Sequence, residues 1–181
     1  MISFIKGEHV YLRAVEPTDA TERYLGWINN PEVTKGLVTG TYPSSLVQLT
    51  SYIESAVSDR SKIMLAICDK QTGLHIGNVK LDQIDAVART AEFGLMIGDQ
   101  AFWGKGIGTE VCRLVLQYAF EQLNLRKVSL SVFSNNPGAI RLYEKVGFTV
   151  EGRLKDHVFA DNAYHDKLWM SIFKQDFTRS L

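Results

Sequence analysis

The 181-residue sequence carries no excess charge, has little cysteine and contains no long apolar run. Twenty basic residues balance twenty acidic ones, so no net field attracts nucleic acid or an anionic membrane. The two cysteines lie in apolar stretches, which favours buried thiols over a disulfide or a metal site, and the four histidines show no metal-ligand spacing. No run approaches the ~18 apolar residues of a membrane span, and no signal peptide is recognised. We therefore expect a soluble, cytoplasmic protein that binds no metal.

The absence of repeats, low-complexity tracts and linkers predicts one domain over residues 1–181. The predicted order is β-α-α-β-β-β-α-β-α-β-β, with strands over 10–15, 63–68, 75–81, 90–98, 127–133, 148–157 and 164–173 and helices over 19–29, 43–57, 107–124 and 137–146. Three consecutive strands followed by strand–helix repeats predict an α/β (α+β mixed) fold, in which a mixed sheet carries helices on both faces.

The most informative segment is a glycine-rich loop between the strand over 90–98 and the next helix. From Gly98 to Glu110 it reads G-D-Q-A-F-W-G-K-G-I-G-T-E. Glycines let the backbone approach a ligand, and a helix N-terminus offers unpaired N–H groups and about half a positive charge. The loop therefore predicts a pyrophosphate site, to which Lys105 adds a mobile charge, and a larger residue at Gly108 should block it without disturbing the fold. The spacing matches neither a P-loop nor a dinucleotide-binding fingerprint, and a turn without a ligand stays open.

A second segment, from Asn136 to Phe148, reads N-P-G-A-I-R-L-Y-E-K-V-G-F. It resembles the N-x-x-A-I-x-L-Y-E-K-x-G-F signature of the GNAT acetyltransferase superfamily. The loop from Trp103 to Thr109 resembles the pyrophosphate motif of that family, [QR]-x-x-G-x-[GA], with Trp103 at the Gln or Arg position, as in the branch of the ribosomal-protein N-terminal (alanine/serine) acetyltransferases. The resemblance covers nearly the whole chain. It implies a mostly antiparallel, twisted GNAT-like sheet with helices on both faces.

The resemblance also implies acetyl-CoA as co-substrate and direct transfer of its acetyl group to a primary amine, with no metal. The strand over 90–98 would splay from its neighbour and bind the pantetheine arm and thioester through its backbone, whereas an ordinary sheet ladder is the alternative. The residues expected to bind the coenzyme are Leu95, Met96, Ile97, Trp103, Gly104, Lys105, Gly106, Ile107, Gly108, Thr109, Asn136, Ala139, Tyr143 and Lys145.

Two residues are predicted to carry the chemistry. By resemblance, the Tyr143 hydroxyl faces the thioester sulfur and protonates the leaving thiolate, as a phenol with a pKa near 10 is able to do at neutral pH. Its helical spacing alone is typical of a core tyrosine. Glu92 shares a strand face with Gly94 and Met96 and is the candidate base, because an alkyl ammonium must lose a proton before it attacks. A solvated surface charge is the equal alternative for Glu92.

The acceptor amine is the least constrained part of the prediction. The strand over 75–81 and the segment over 27–33 resemble relatives that act on amino sugars, including nucleotide-linked ones, so an amino sugar is favoured. A protein N-terminus comes second, and a polyamine third because the sequence shows no dense acidic cluster. A non-catalytic acyl-CoA-binding regulatory domain and a homodimer also stay open, whereas nucleic-acid and membrane partners are not expected.

Overall fold

The computed structural model describes residues 2–37 and 39–178. Its strands are β1 (Ile5–Lys6), β2 (Val10–Ala14), β3 (Ile63–Asp69), β4 (His75–Asp85), β5 (Thr90–Ile97), β6 (Lys127–Phe133), β7 (Thr149–Ala160) and β8 (Ala163–Phe173). Its α-helices are α1 (Glu22–Ile28), α2 (Pro31–Thr34), α3 (Leu46–Ser58), α4 (Ile107–Glu121) and α5 (Pro137–Val146). The strands form one sheet in the order β1-β2-β3-β4-β5-β6-β8-β7. Neighbouring strands are antiparallel except β5 and β6, which are parallel.

Side-chain alternation along the strands divides the apolar residues between the two faces of the sheet. One face packs against α4 and α5, with Phe93 of β5 and Val115 of α4 among its buried members. The other face packs against α1 and α3, where Trp27 and Ile53 share a smaller cluster with Met64 of β3. Helices therefore cover both faces of a mixed, mostly antiparallel sheet, and the predicted fold class is confirmed.

The parallel strands β5 and β6 pair over only part of their length. Their ladder joins Thr90–Glu92 to Lys127–Ser129 and then stops, although β5 continues to Ile97 and β6 to Phe133. Beyond Glu92, backbone groups of β5 that face β6 have no partner in that ladder. Unpaired backbone N–H and C=O groups need other partners, so the opening between the strands is suited to a ligand.

Two short elements, β1 and α2, were not predicted from the sequence. They contain two and four residues, too few for a hydrophobic period to emerge. Pro31 marks the end of the preceding helical pattern, but it also begins α2, because proline is tolerated at a first helical position. The Asn30 side chain caps this turn by accepting a hydrogen bond from the Glu32 amide.

Both cysteines, Cys68 and Cys112, are buried and free. None of the helices in the described ranges is long and apolar enough to cross a membrane. All the strands of those ranges share one sheet, and the division of residues 1–181 into a single domain stays a prediction.

Candidate active site

A cleft of about 580 Å³ lies where β5 and β6 separate. It is bounded by the end of β5, the loop that leads to α4 and the first turns of α4 and α5. Most of the residues predicted to bind the coenzyme line it: Leu95, Met96, Ile97, Trp103, Gly104, Gly106, Ile107, Gly108, Thr109, Asn136, Ala139 and Tyr143. The fold thus brings the glycine-rich loop, the splayed strand and the N-terminal part of α5 to one cleft.

The glycine-rich loop leaves the N-terminus of α4 open. Gly104 and Gly106 have φ values of +71° and +79°, in the left-handed region that favours glycine. A Cβ at either position would meet no heavy atom within 4 Å, so there is open space beside the loop. Gly106 is the N-cap of α4 and provides no side-chain cap, which leaves the first N–H groups of this helix for a ligand. An anionic pyrophosphate suits such a terminus.

Trp103 has a structural role in this loop. Its indole Nε1–H donates to the Ile97 carbonyl at 2.8 Å and so ties the loop to the end of β5. Neither predicted lysine lies along the cleft. The Lys105 ammonium lies 5.6 Å from the centroid of the Phe102 ring, and the exposed Lys145 accepts a hydrogen bond from Arg113 through its carbonyl.

Tyr143 reaches the cleft from α5, and Leu95 and Met96 of β5 line the same cleft. Its ring is almost fully buried and lies edge-on to Phe93 and Phe148. Burial raises the pKa of the phenol above its usual value, because the charged phenolate is poorly solvated there. The hydroxyl therefore stays protonated at neutral pH and has a proton to donate.

A second cavity, of about 320 Å³, adjoins the first on the other side of β5. We call it the acceptor cavity; it shares Leu37, Leu95 and Met96 with the coenzyme cleft. Its polar lining residues are Tyr24, Thr39, Ser44, Gln48, Tyr52, Asn78 and Lys80. No Asp or Glu is among the lining residues that the structure describes. The cavity therefore offers neutral hydrogen-bonding groups and one cation.

Glu92 is half-buried and lies on the same face of β5 as Gly94, two residues further along the strand. It is opposite Asp82 of β4. Among the described residues, Glu92 lines neither cavity. It lies on β5 two residues before Gly94, which lines the acceptor cavity. Burial alone would lower the pKa of Lys80, but a hydrogen bond to Asp82 and the nearby negative charges, Glu92 among them, raise it.

A buried polar network lies beneath the acceptor cavity. Arg13 donates to both carboxylate oxygens of Asp19, at 2.7 and 2.6 Å. The His75 imidazole lies 3.8 Å from Asp19, and burial lowers its pKa, so His75 is neutral at neutral pH. His75 also contacts Asn78, which lines the acceptor cavity.

The comparisons with known proteins bear directly on this arrangement. A family model described as an acetyltransferase (GNAT) domain matches residues 9–149. The chain belongs to the GNAT acetyltransferases. One relative is the putative ribosomal N-acetyltransferase YdaF of Bacillus subtilis (strain 168), 32% identical, with 93% of each chain covered. Another is the spermidine N(1)-acetyltransferase of Escherichia coli (strain K12), 34% identical over 93% of this chain and 88% of the relative.

A solved structure gives the same result for the fold. The spermidine N-acetyltransferase from Vibrio cholerae, in complex with CoA and spermine, matches with a TM-score of 0.84 and 30% identity over 93% of this chain and 97% of that one. As a GNAT protein with such relatives, the chain is an acetyl-CoA-dependent N-acetyltransferase. The roles assigned to individual residues stay predictions.

Several residues of this GNAT site were missed in the sequence. Glu32, Val33, Lys35 and Leu37 border the coenzyme cleft from the segment after α1. Glu32 and Val33 belong to the segment over 27–33, which the sequence associates with the acceptor, and only the fold shows that this segment and the residues after it reach the coenzyme cleft. Asn78 left a signal: it is a polar residue in an otherwise apolar strand, H-I-G-N-V-K-L.

Proposed function

We propose that this GNAT enzyme acetylates the primary amine of a small oxygen-bearing acceptor, an amino sugar either free or nucleotide-linked. The acceptor cavity carries this proposal, because it adjoins the thioester end of the cleft at Leu95 and Met96. Its hydroxyl and amide side chains both donate and accept hydrogen bonds, which suits the hydroxyl groups of a sugar. Its volume, about 320 Å³, lies in the range of small-molecule sites.

The proposed reaction is a direct transfer. The ammonium of the acceptor loses a proton to Glu92 through water, and the free amine nitrogen attacks the thioester carbonyl. A backbone N–H of the splayed strand over Leu95–Ile97 stabilises the oxyanion. The nitrogen of the tetrahedral intermediate then loses its second proton to water and the C–S bond breaks. The thiolate takes its proton from Tyr143, and solvent returns a proton to the phenolate. Holding both reactants in adjoining cavities supplies much of the rate.

A polyamine is the second candidate, since relatives up to 34% identical are named spermidine acetyltransferases. Electrostatics supports it less well. A polycation binds best beside several carboxylates, whereas the described lining of the acceptor cavity offers Lys80 and no carboxylate. A protein N-terminus is the third candidate, on the strength of the relative named as a ribosomal N-acetyltransferase.

A free-thiol assay with acetyl-CoA tests the acceptor. The panel contains free and nucleotide-linked amino sugars, N-terminal peptides, spermidine and aminoglycosides. We expect the highest kcat/KM for an amino sugar. A kcat/KM at least about tenfold higher for spermidine, equivalent to ~1.4 kcal/mol, would overturn the acceptor proposal. Acetyl-CoA binding without thiol release for any amine of the panel would place the acceptor outside the panel and would also overturn the acceptor proposal.

The cytoplasm is the compartment that we propose for this activity. Both cysteines are buried and free, which suits a reducing compartment. Fractionation of cells that express the tagged protein tests this, and recovery with secreted or membrane fractions would contradict it.

A further inference from the structure

Asn78 is a buried polar residue without a full set of hydrogen bonds. It lies on β4 with its side chain on the wall of the acceptor cavity, and only 5% of the residue is exposed. Its Nδ2 atom is buried and has no hydrogen-bond partner among the described residues. A buried donor left unpaired is costly, so its presence in a substrate cavity indicates a partner supplied by the substrate.

His75 fixes the orientation of the Asn78 carboxamide. The His75 Nε2 atom lies 2.9 Å from the Gly77 carbonyl oxygen and 3.1 Å from Asn78 Oδ1. A carbonyl oxygen only accepts, so Nε2 carries the proton and Asn78 turns its oxygen toward it. The Nδ2 end of the carboxamide therefore points away from His75, and because less than 1 Å² of this atom is accessible, a substrate atom reaches it only when a neighbouring side chain of the cavity wall turns aside.

The imidazole itself is held in place. Tyr24 and Trp27 lie edge-on to it, with ring centroids at 5.8 and 5.2 Å. Asp19 lies on its Nδ1 side and is occupied by two hydrogen bonds from Arg13. The carboxamide of Asn78 thus contacts an imidazole that is packed on several sides, which favours one direction for its N–H groups.

We propose that Asn78 determines acceptor specificity, by donating its Nδ2–H to an oxygen atom next to the amine of the acceptor, with His75 as the positioning residue. This inference rests on the proposed function. A protonated polyamine has only N–H donors and methylene groups, so it leaves the Asn78 donor unpaired. A sugar hydroxyl and a peptide carbonyl each supply the missing acceptor atom.

The test compares trans-2-aminocyclohexanol with cyclohexylamine, which differ by one hydroxyl next to the amine. We expect the wild-type enzyme to favour the amino alcohol in kcat/KM by roughly 10- to 100-fold, because the other amine leaves a buried donor unpaired. Asn78→Leu keeps the size of the side chain and removes the donor, so this preference should fall toward one. His75→Phe should weaken the preference through KM rather than kcat. Glucosamine and alaninamide, run alongside, distinguish a sugar hydroxyl from a peptide carbonyl.

Two controls separate specificity from folding. Gln175→Leu changes an exposed carboxamide outside both cavities and should keep the full preference. Thermal melts should show little change for Asn78→Leu, because the leucine removes an orphan donor together with one acceptor of the His75 Nε2–H, which keeps its hydrogen bond to the Gly77 carbonyl. A large loss of stability together with an unchanged preference would make Asn78 a structural residue and overturn the proposal.

A binding measurement keeps the inference distinct from the acetylation itself. Side-chain amide signals of Asn78 are followed by NMR in the wild-type protein with CoA, after sequential assignment of β4. We expect them to shift with the amino alcohol and not with cyclohexylamine. A shift without thiol release from any acceptor would refute the proposed function and leave the inference standing. Signals that stay in place with both amines would refute the inference, whatever the turnover.

Discussion

The two predicted roles of Tyr143 rest on different atoms: its ring packs in the core, and its hydroxyl would donate the proton. The ring lies 6.2 Å from Phe93 and 5.7 Å from Phe148 between centroids, so Tyr143→Phe keeps these contacts and costs at most ~1 kcal/mol of stability. If the hydroxyl protonates the thiolate, kcat falls by roughly 10²-fold or more while acetyl-CoA affinity barely moves. Steady-state kinetics and a thermal melt on one preparation check this. Near-normal turnover with a lowered Tm would make Tyr143 a core residue.

Glu92 is tested through the pH dependence of turnover. Glu92→Gln should reduce kcat/KM most at pH values below the pKa of the acceptor amine, where attack needs a base. The deficit should shrink as pH rises toward about 10, because the free amine then forms without help. Glu54→Gln removes an exposed charge from α3 and should leave the profile unchanged. An equal deficit at alkaline pH would mark Glu92 as a positioning residue.

At the scale of elements, the loop before α4 depends on backbone conformation more than on side chains. Gly106→Ala would place alanine at a φ of +79°, at a cost of ~1–2 kcal/mol, and turn the first N–H groups of α4 away from the ligand. We expect the Kd for acetyl-CoA to rise at least tenfold, ~1.4 kcal/mol, by calorimetry. Gly26→Ala in α1, where the new Cβ meets no atom within 4 Å, is the matched control. An unchanged Kd in Gly106→Ala would remove this loop from the coenzyme site.

Gly108 proves a poorer test than the sequence suggests. It lines the cleft, but a Cβ built on it would approach the Leu142 side chain to 2.7 Å. A larger residue therefore presses on α5 as well as on the ligand. The atom approached is the end of the Leu142 side chain, which is able to turn aside, so the expectation that such a substitution leaves the fold undisturbed stays a prediction.

Elements with strong local signals could be predicted from the sequence. α5 runs from Pro137 to Val146 as predicted, because Asn136, Pro137 and Gly147 mark both of its ends. β5 was legible from its alternation, and its faces divide as expected between the two helix layers. β1 and α2 have no such signal, since two and four residues are too few.

The coenzyme cleft and the acceptor cavity also differ in how far the sequence predicts them. The proposed coenzyme half is built from contiguous segments whose backbone is expected to bind, so a motif is able to reveal it. Lys105 and Lys145 belong to those motifs, yet neither is among the described residues that line the cleft, because spacing does not fix where a long side chain points; their binding of the coenzyme stays a prediction. The acceptor half joins Tyr24, Gln48 and Asn78 from three separate elements, and only the tertiary fold brings them together.

At the scale of the whole molecule, the opening between β5 and β6 lets the spaces under the two helix layers meet at β5. The face of the sheet under α4 and α5 borders the coenzyme cleft, and the face under α1 and α3 carries the acceptor cavity. Leu95 and Met96 point to opposite faces of β5 and touch both spaces. If β5 holds the acyl group as proposed, an amine in the acceptor cavity would reach it from the other layer.

The polar network under α1 also ties the stability of the whole fold to pH. Burial lowers the pKa of His75 below its ordinary value of 6.5, despite the opposing effect of Asp19. Burial alone would raise the pKa of Asp19, but hydrogen bonds from Arg13 and the Glu16 amide lower it below 3.8. Both groups bind more protons in the unfolded chain than in the native one, so acid favours unfolding at each of them.

We therefore expect two windows of acid destabilisation. The contribution of neutral His75 to the free energy of unfolding is complete above about pH 6.5 and is lost below it, by at most ~1.4 kcal/mol per pH unit. The contribution of the Asp19 carboxylate is lost only below about pH 3.8. His75→Phe keeps an aromatic ring against Tyr24 and Trp27 but has no group to protonate. Thermal melts between about pH 7 and 5 should show a falling Tm for the wild type and a nearly flat one for the variant, with both falling below about pH 4. Parallel curves across the upper window would mean that His75 is protonated as easily in the native protein as in the unfolded chain.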